Sequence, residues 1–182
     1  IFNDMGKIFY AEKSEYSSET IVTRILSQYY EVENAEIRRT KNGKPYLENV
    51  RTPLHFSLSH TKELLFIAFS EENIGLDTES LHRKVDYEKI CAKFPCGERE
   101  KITSVETFLK HWVVKESAVK YMGGTLARDL KKLSFTHGLL TYEGQPFPVS
   151  PQFLQFREHI LCVCSRQDFS NAEFVEIPIC TL

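Results

Sequence analysis

Residues 103–124, TSVETFLKHWVVKESAVKYMGG, carry the longest helical signal in the chain. Thr103-Ser104-Val105-Glu106 reads as a capping box that opens the helix. Gly123-Gly124 closes it, because glycine enters the left-handed conformation of a helix end without steric cost. Between them Val105, Phe108, Leu109, Trp112 and Val119 form the inward stripe of the helical wheel. Glu116 falls in the middle of that stripe, one turn after Trp112. A carboxylate aimed at a core is costly unless a cation or hydrogen-bond donors meet it. A structural salt bridge would satisfy that requirement, and so would a bound ion.

Upstream, Ile74-Gly75-Leu76-Asp77-Thr78-Glu79 alternates as a strand. Ile74, Leu76 and Thr78 face one side, so Asp77 and Glu79 face the other together. Two carboxylates on one face repel unless a cation sits between them, the plainer alternative being a solvated strand face. With Glu116 they compose an all-oxygen set suited to Mg²⁺, which keeps several waters and shares substrate phosphates. Lys115 and Lys120 flank Glu116, in a pattern that suits both a divalent ion and phosphate. Gly43-Lys44-Pro45 reads as a tight turn presenting Lys44 to an anion. Ser57-Leu58-Ser59-His60 ends a strand with hydroxyls and an imidazole, groups able to donate to phosphate.

The remaining periodicity is mixed. Residues 7–11 read as a short strand. Ile21, Val22, Ile25, Leu26 and Tyr29 recur at helical spacing after a Ser17 or Ser18 cap. Strands are expected at 54–58, 64–70 and 74–79, a short helix at 87–93, and further strands at 133–136, 139–142, 153–156, 160–164 and 174–177. The class is α+β with mostly antiparallel strands and a seam near residues 71–80. With 182 residues, 42% hydrophobic and 26% charged, the chain has a globular composition, not a disordered one. A net charge of −2 excludes a general nucleic-acid binder, so any anion must be held by a local cluster.

Five cysteines, Cys91, Cys96, Cys162, Cys164 and Cys180, are an odd number. With no signal peptide ahead of them, the expectation is a reducing cytoplasm. A Zn²⁺ site from Cys91, Cys96, Cys162 and Cys164 is the alternative, but their spacings match no common zinc pattern, and buried free thiols are expected. The longest apolar run, Leu64 to Phe69, is too short for a bilayer, so no membrane association is expected. The chain begins at Ile1 without Met, from which residues missing at the natural N-terminus are expected.

The order of the segments is itself informative. Gly43-Lys44-Pro45, Phe56-Ser57-Leu58-Ser59-His60, Ile74-Gly75-Leu76-Asp77-Thr78-Glu79 and Trp112-Val113-Val114-Lys115-Glu116-Ser117-Ala118-Val119-Lys120 together resemble the signature of the 4′-phosphopantetheinyl transferases, in particular the surfactin-synthetase type. The motifs span residues 43–120. The resemblance implies two similar α+β halves related by pseudo-twofold symmetry, residues 1–74 and residues 75–182, the second carrying the metal motifs. It implies coenzyme A between them and transfer of its phosphopantetheine arm to a serine of an apo acyl, peptidyl or aryl carrier protein. Adenosine 3′,5′-bisphosphate would be released, and the chain would act as a monomer.

Matched residue by residue, Asp77, Glu79 and Glu116 would be Mg²⁺ ligands and Lys120 would contact the pyrophosphate. Lys44 and His60 would meet the nucleotide end of coenzyme A, with Pro45, Ser59 and Lys115 in the same binding set. Trp112 would pack the motif helix. The serine proton would go to Glu116 or to a water on the metal. The chain departs from the pattern twice. The stretch before the first helix holds Lys13 but no Arg, and the segment Lys93 to Glu100 is altered, leaving Glu98 and Glu100 as further candidates near the nucleophile. A Mg²⁺-dependent pyrophosphate hydrolase and a non-catalytic binding protein are the competing readings. Lys120, Tyr121 and Met122 are expected at the centre of a carrier-docking patch.

Overall fold

The computed structural model describes residues 6–179, so Ile1 and Cys180 lie outside the described residues. The chain opens with β1 (Lys7–Glu12), α1 (Ser18–Tyr30), β2 (Glu36–Arg39), β3 (Pro45–Glu48), β4 (His55–His60) and β5 (Leu64–Ser70). It continues with β6 (Gly75–Ser80), the short helices α2 (Tyr87–Cys91) and α3 (Cys96–Arg99), the long α4 (Val105–Met122) and the single turn α5 (Leu126–Asp129). Six strands complete it: β7 (Leu133–Thr136), β8 (Leu139–Tyr142), β9 (Gln145–Pro146), β10 (Pro151–Phe156), β11 (His159–Cys164) and β12 (Glu173–Glu176). This is an α+β chain with mostly antiparallel sheets. Among the described residues no helix is long and apolar enough to cross a membrane.

Two sheets lie back to back with a helix outside each. One sheet has the order β12-β1-β5-β4 and the other β10-β11-β6. Alternation divides β1 between two cores. Phe9 and Ala11 pack with α1 residues Ile21, Val22, Ile25 and Leu26, while Ile8 and Tyr10 pack with Leu76, Leu161 and Val163 of the other sheet. Because β5 serves both cores, all seven of its residues are buried, each large apolar one contributing about 1.5–3 kcal/mol. On the far side, α4 packs on Ile160, Cys162 and Cys164 of β11.

The expected boundary at 74/75 falls in the loop before β6. The sheets do not follow it, because β12 returns to pair parallel with β1, Lys7 opposite Glu173 and Tyr10 opposite Glu176. The capping of α4 also shifts by one residue. Ser104, not Thr103, is the N-cap, and its Oγ accepts from Thr107 N at 3.1 Å. Gly123 ends the helix at φ 64°. The β2–β3 hairpin, which the periodicity does not announce, turns at Gly43 (φ 87°).

Two local features fix β6 against β4 and α4. Ser57 Oγ accepts from Leu76 N at 2.9 Å and Ser59 Oγ from Thr78 N at 3.2 Å, so hydroxyls of β4 bridge to the backbone of β6. At Gly75 the strand touches the helix. A Cβ there would lie 1.9 Å from Ser117 O and 2.5 Å from Tyr121 N. Only glycine allows β6 this close to α4, which sets the distance between the two motifs.

Candidate functional site

A groove of about 480 Å³ runs between the β2–β3 hairpin and β4 on one wall and β6 and α4 on the other. The hairpin contributes Arg39, Asn42, Gly43, Lys44 and Pro45, and β4 contributes Phe56 to His60. Across from them stand Asp77, Thr78 and Glu79 of β6 and Glu116, Val119 and Lys120 of α4. Segments separated by up to 85 residues in sequence thus meet in one cleft, of a size suited to a small-molecule ligand.

Lys120 is the hub. Its Nζ donates to Asp77 Oδ1 at 2.7 Å, to Leu76 O at 2.9 Å and to Leu58 O at 3.3 Å, which uses all three ammonium hydrogens. Asp77 Oδ1 also accepts from Ser59 Oγ at 2.9 Å, whereas Asp77 Oδ2 is buried without a partner. Glu79 pairs with Arg83. Burial pushes the Glu79 carboxyl up, and Arg83 opposes that shift. Glu116 is half-buried and opens toward the groove. Burial, then the neighbouring Asp77, pushes its carboxyl up to about 8.

The inward stripe expected for α4 is too narrow. Ten of its residues are buried, including His111, Lys115 and Ser117, because α2, α3, β6, β7 and β11 surround it. Lys115 is accordingly not at the groove. It is fully buried, with Nζ 2.8 Å from Glu98 Oε2, in contact with Leu133 O, and 4.4 Å from the Phe94 ring centroid. Glu98 is fully buried as well, and its Oε1 lies 2.8 Å from His111 Nδ1. Glu98 and Lys115 thus form an internal pair away from the groove that Glu116 lines. Glu100 accepts from Cys96 Sγ at 3.5 Å and does not line the groove.

Lys44 lines the groove, but its ammonium caps the end of α4, donating to Tyr121 O at 3.0 Å and Ile74 O at 3.3 Å. Burial lowers its pKa to about 8. Pro45 and the exposed His60 also line the groove, and Ser59 lines it with its hydroxyl turned to Asp77. Lys13 does not line it. Arg39, which the sequence reading does not foresee, does; it donates to Glu19 Oε1 at 2.9 Å and Gly43 O at 3.3 Å. Its signal is the hairpin register, which sets Arg39 opposite Pro45. Trp112 packs the helix as expected, stacked with Phe108 and Phe94 at 5.6 and 6.5 Å between centroids.

Among the described residues no three His, Cys, Asp or Glu side chains form a ready-made metal cage. The four described cysteines are free thiols. Cys162 and Cys164 lie under Ser117 in the helix–sheet core, and Cys96 is exposed.

No protein-family model matches the chain. Individual proteins do. The chain is 30% identical over 115 residues to the 4′-phosphopantetheinyl transferase gsp of Aneurinibacillus migulanus, covering 58% of this chain and 46% of that one. It is 26% identical over 129 residues to the 4′-phosphopantetheinyl transferase Sfp of Bacillus subtilis, covering 64% and 54%. The chain is similar in sequence to 4′-phosphopantetheinyl transferases. A phosphopantetheinyl transferase of Bacillus pumilus aligns over 179 residues at 26% identity, covering 89% of this chain and 74% of the relative. The chain spans about half the length of the gsp and Sfp transferases, 46% and 54%.

Proposed function

We propose that this chain transfers the 4′-phosphopantetheine arm of coenzyme A to a serine of an apo acyl, peptidyl or aryl carrier protein, using Mg²⁺ and releasing adenosine 3′,5′-bisphosphate. The observation that carries the reading is the meeting of Asp77, Glu79, Glu116 and Lys120 with Arg39, Lys44, Pro45 and His60 around one groove. Acidic and basic groups at opposite walls suit a ligand that brings both a metal-binding pyrophosphate and further negative charge. One helix against one sheet in each half supports a pseudo-twofold arrangement with the ligand between.

The carboxylates fit a hard cation. Asp77 Oδ2 has no partner inside the protein, and burial, with the charge of Asp77 adding to it, holds the Glu116 carboxyl up. Both are signs of negative charge that the chain itself leaves uncompensated. Asp77, Glu79 and Glu116 would hold Mg²⁺, as oxygen ligands of the kind it takes. When bound, Mg²⁺ neutralises charge on the pyrophosphate and the departing phosphate.

The chain's own residues supply the rest. Lys120, fixed by three acceptors, is a positioned cation beside the carboxylates and adds to stabilisation of the leaving phosphate without reorganising. Arg39, His60 and Lys44 face the nucleotide end. In the transfer, the serine Oγ forms a bond to the β-phosphorus as the bridging P–O bond breaks. The serine proton passes to Glu116 in its ionised form, a side chain that lines the groove. Met122, 36% exposed at the end of α4, is the apolar contact proposed for the carrier. Lys120 is paired with Asp77 and Tyr121 packs on Phe147 at 5.6 Å, and both are only partly exposed, so Met122 is the most exposed of the three.

The test is intact-mass measurement of several apo carriers after incubation with the chain, coenzyme A and Mg²⁺. Addition of one phosphopantetheine to the carrier serine is expected. Cleavage of coenzyme A without any carrier would establish the hydrolase instead, and binding without either product would establish a non-catalytic role.

A further inference from the structure

The three carboxylates at the groove do not converge on an empty cage, because two cations of the chain already hold two of them. Lys120 Nζ lies 2.7 Å from Asp77 Oδ1. The Arg83 guanidinium is in direct contact with Glu79 Oε1, four residues earlier. These cations are anchored very differently. Lys120 is bonded to β4 and β6 at once and belongs to α4. Arg83 stands in the irregular segment between β6 and α2, and its side chain is 35% exposed and held by Glu79.

Charge bookkeeping points the same way. With Glu116 ionised, three carboxylates face two cations, which leaves one negative charge in a half-buried site. Exchanging Arg83 for a divalent ion would close that balance. The unpartnered oxygen Asp77 Oδ2, on a side chain only 4% exposed, marks where the remaining demand for a cation is focused.

We propose that Arg83 is a displaceable counter-cation: it holds Glu79 in the metal-free protein and leaves Glu79 when a divalent ion binds Asp77, Glu79 and Glu116. The inference rests on the metal reading given above. It makes Arg83 a competitor of the metal, so that removing Arg83 strengthens metal binding. An arginine that orients Glu79 toward the metal would act in the opposite direction. The contact between Arg83 and Glu79 is partly screened by solvent, so the competition is modest, about two- to fivefold in affinity.

The experiment measures Mn²⁺ affinity from the electron paramagnetic resonance signal of free Mn²⁺, for the wild-type chain, Arg83→Gln and Lys84→Gln. Lys84 is the exposed neighbour, and its substitution removes the same charge without touching Glu79. A parallel Mg²⁺ titration follows the emission of Trp112, the only tryptophan. Its buried indole N–H lacks a partner of good geometry and stands beside the Glu79 carboxyl. Arg83→Gln is expected to bind both ions two- to fivefold more tightly than Lys84→Gln, with thermal unfolding confirming that each variant is folded. Affinity equal to or weaker than that of Lys84→Gln would overturn the proposal and leave the metal reading standing. Absence of ion binding by wild type and both variants would overturn the metal reading, and this proposal with it.

Discussion

Lys120 Nζ lies 2.7 Å from Asp77 Oδ1 and gives its other hydrogens to the carbonyls of Leu58 and Leu76, so one side chain both pairs with Asp77 and ties α4 to β4 and β6. Lys120→Met should therefore lose stability as well as carrier modification. Breaking a buried pair costs 3–5 kcal/mol, and with Lys120 29% exposed the loss should be about 2–3 kcal/mol. Urea denaturation reads the first effect and single-turnover transfer the second. Wild-type stability in Lys120→Met would show that the three contacts do not tie α4 to the strands.

Glu116→Gln should do the reverse to stability. Burial and Asp77 push the Glu116 carboxyl up to about 8, above its ordinary value, so the folded protein disfavours its charged form. Its contribution is most favourable below the unfolded pKa near 4.5 and is lost as pH rises toward 8. In chelator, Glu116→Gln should melt higher than wild type at neutral pH while losing carrier modification. Adding Mg²⁺ should narrow the gap by stabilising only the wild type. A lower melting temperature in chelator would mean that Glu116 meets a protein cation after all.

Glu98 and Lys115, both fully buried and 2.8 Å apart, predict a strong asymmetry between single and double substitution. Glu98→Leu alone strands a buried ammonium and should cost about 3–5 kcal/mol. Glu98→Leu combined with Lys115→Met should recover most of it. A double-mutant cycle in denaturant measures the coupling. If Glu98→Leu instead folds normally and loses only catalysis, Glu98 acts in the reaction.

Arg39 should matter to the coenzyme and not to the carrier. Arg39 lines the groove, with its side chain 54% exposed. The expected rise in the coenzyme A KM for Arg39→Ala is about three- to tenfold, below the full worth of a charge-assisted contact because solvent screens it. The carrier KM should stay constant. A change confined to the carrier would place Arg39 at the protein interface.

His159 sets an acid limit on stability. Its Nε2 lies 3.2 Å from Thr61 Oγ1 across the junction, its Nδ1 is buried without a partner, and it packs on Phe66. Burial lowers its pKa, with Glu63 and Glu158 opposing and Arg157 adding to the shift. The unfolded chain therefore takes up the proton first, and stability should fall as pH drops through and below the ordinary imidazole value near 6.5. Urea midpoints between pH 7.5 and about 5 should show this slope, and His159→Gln should flatten it.

Much of the site is legible in the chain alone. The alternation of Ile74 to Glu79 places Asp77 and Glu79 on one face, and the period of α4 places Glu116 and Lys120 one turn apart, because side-chain direction along a strand or helix is a local property. The caps at Ser17 and Gly123 are local for the same reason. What faces those side chains is not local. Lys115 and Glu116 are adjacent in sequence and chemically alike as groove candidates, yet a helix turns 100° between them. Only the packing of α3 and β7 shows that Lys115 meets Glu98 while Glu116 meets the groove. Arg39, Arg83 and the parallel pairing of β12 with β1 belong to the same class. Each depends on a contact across the fold, where burial and charge, not periodicity, decide which partner a side chain finds.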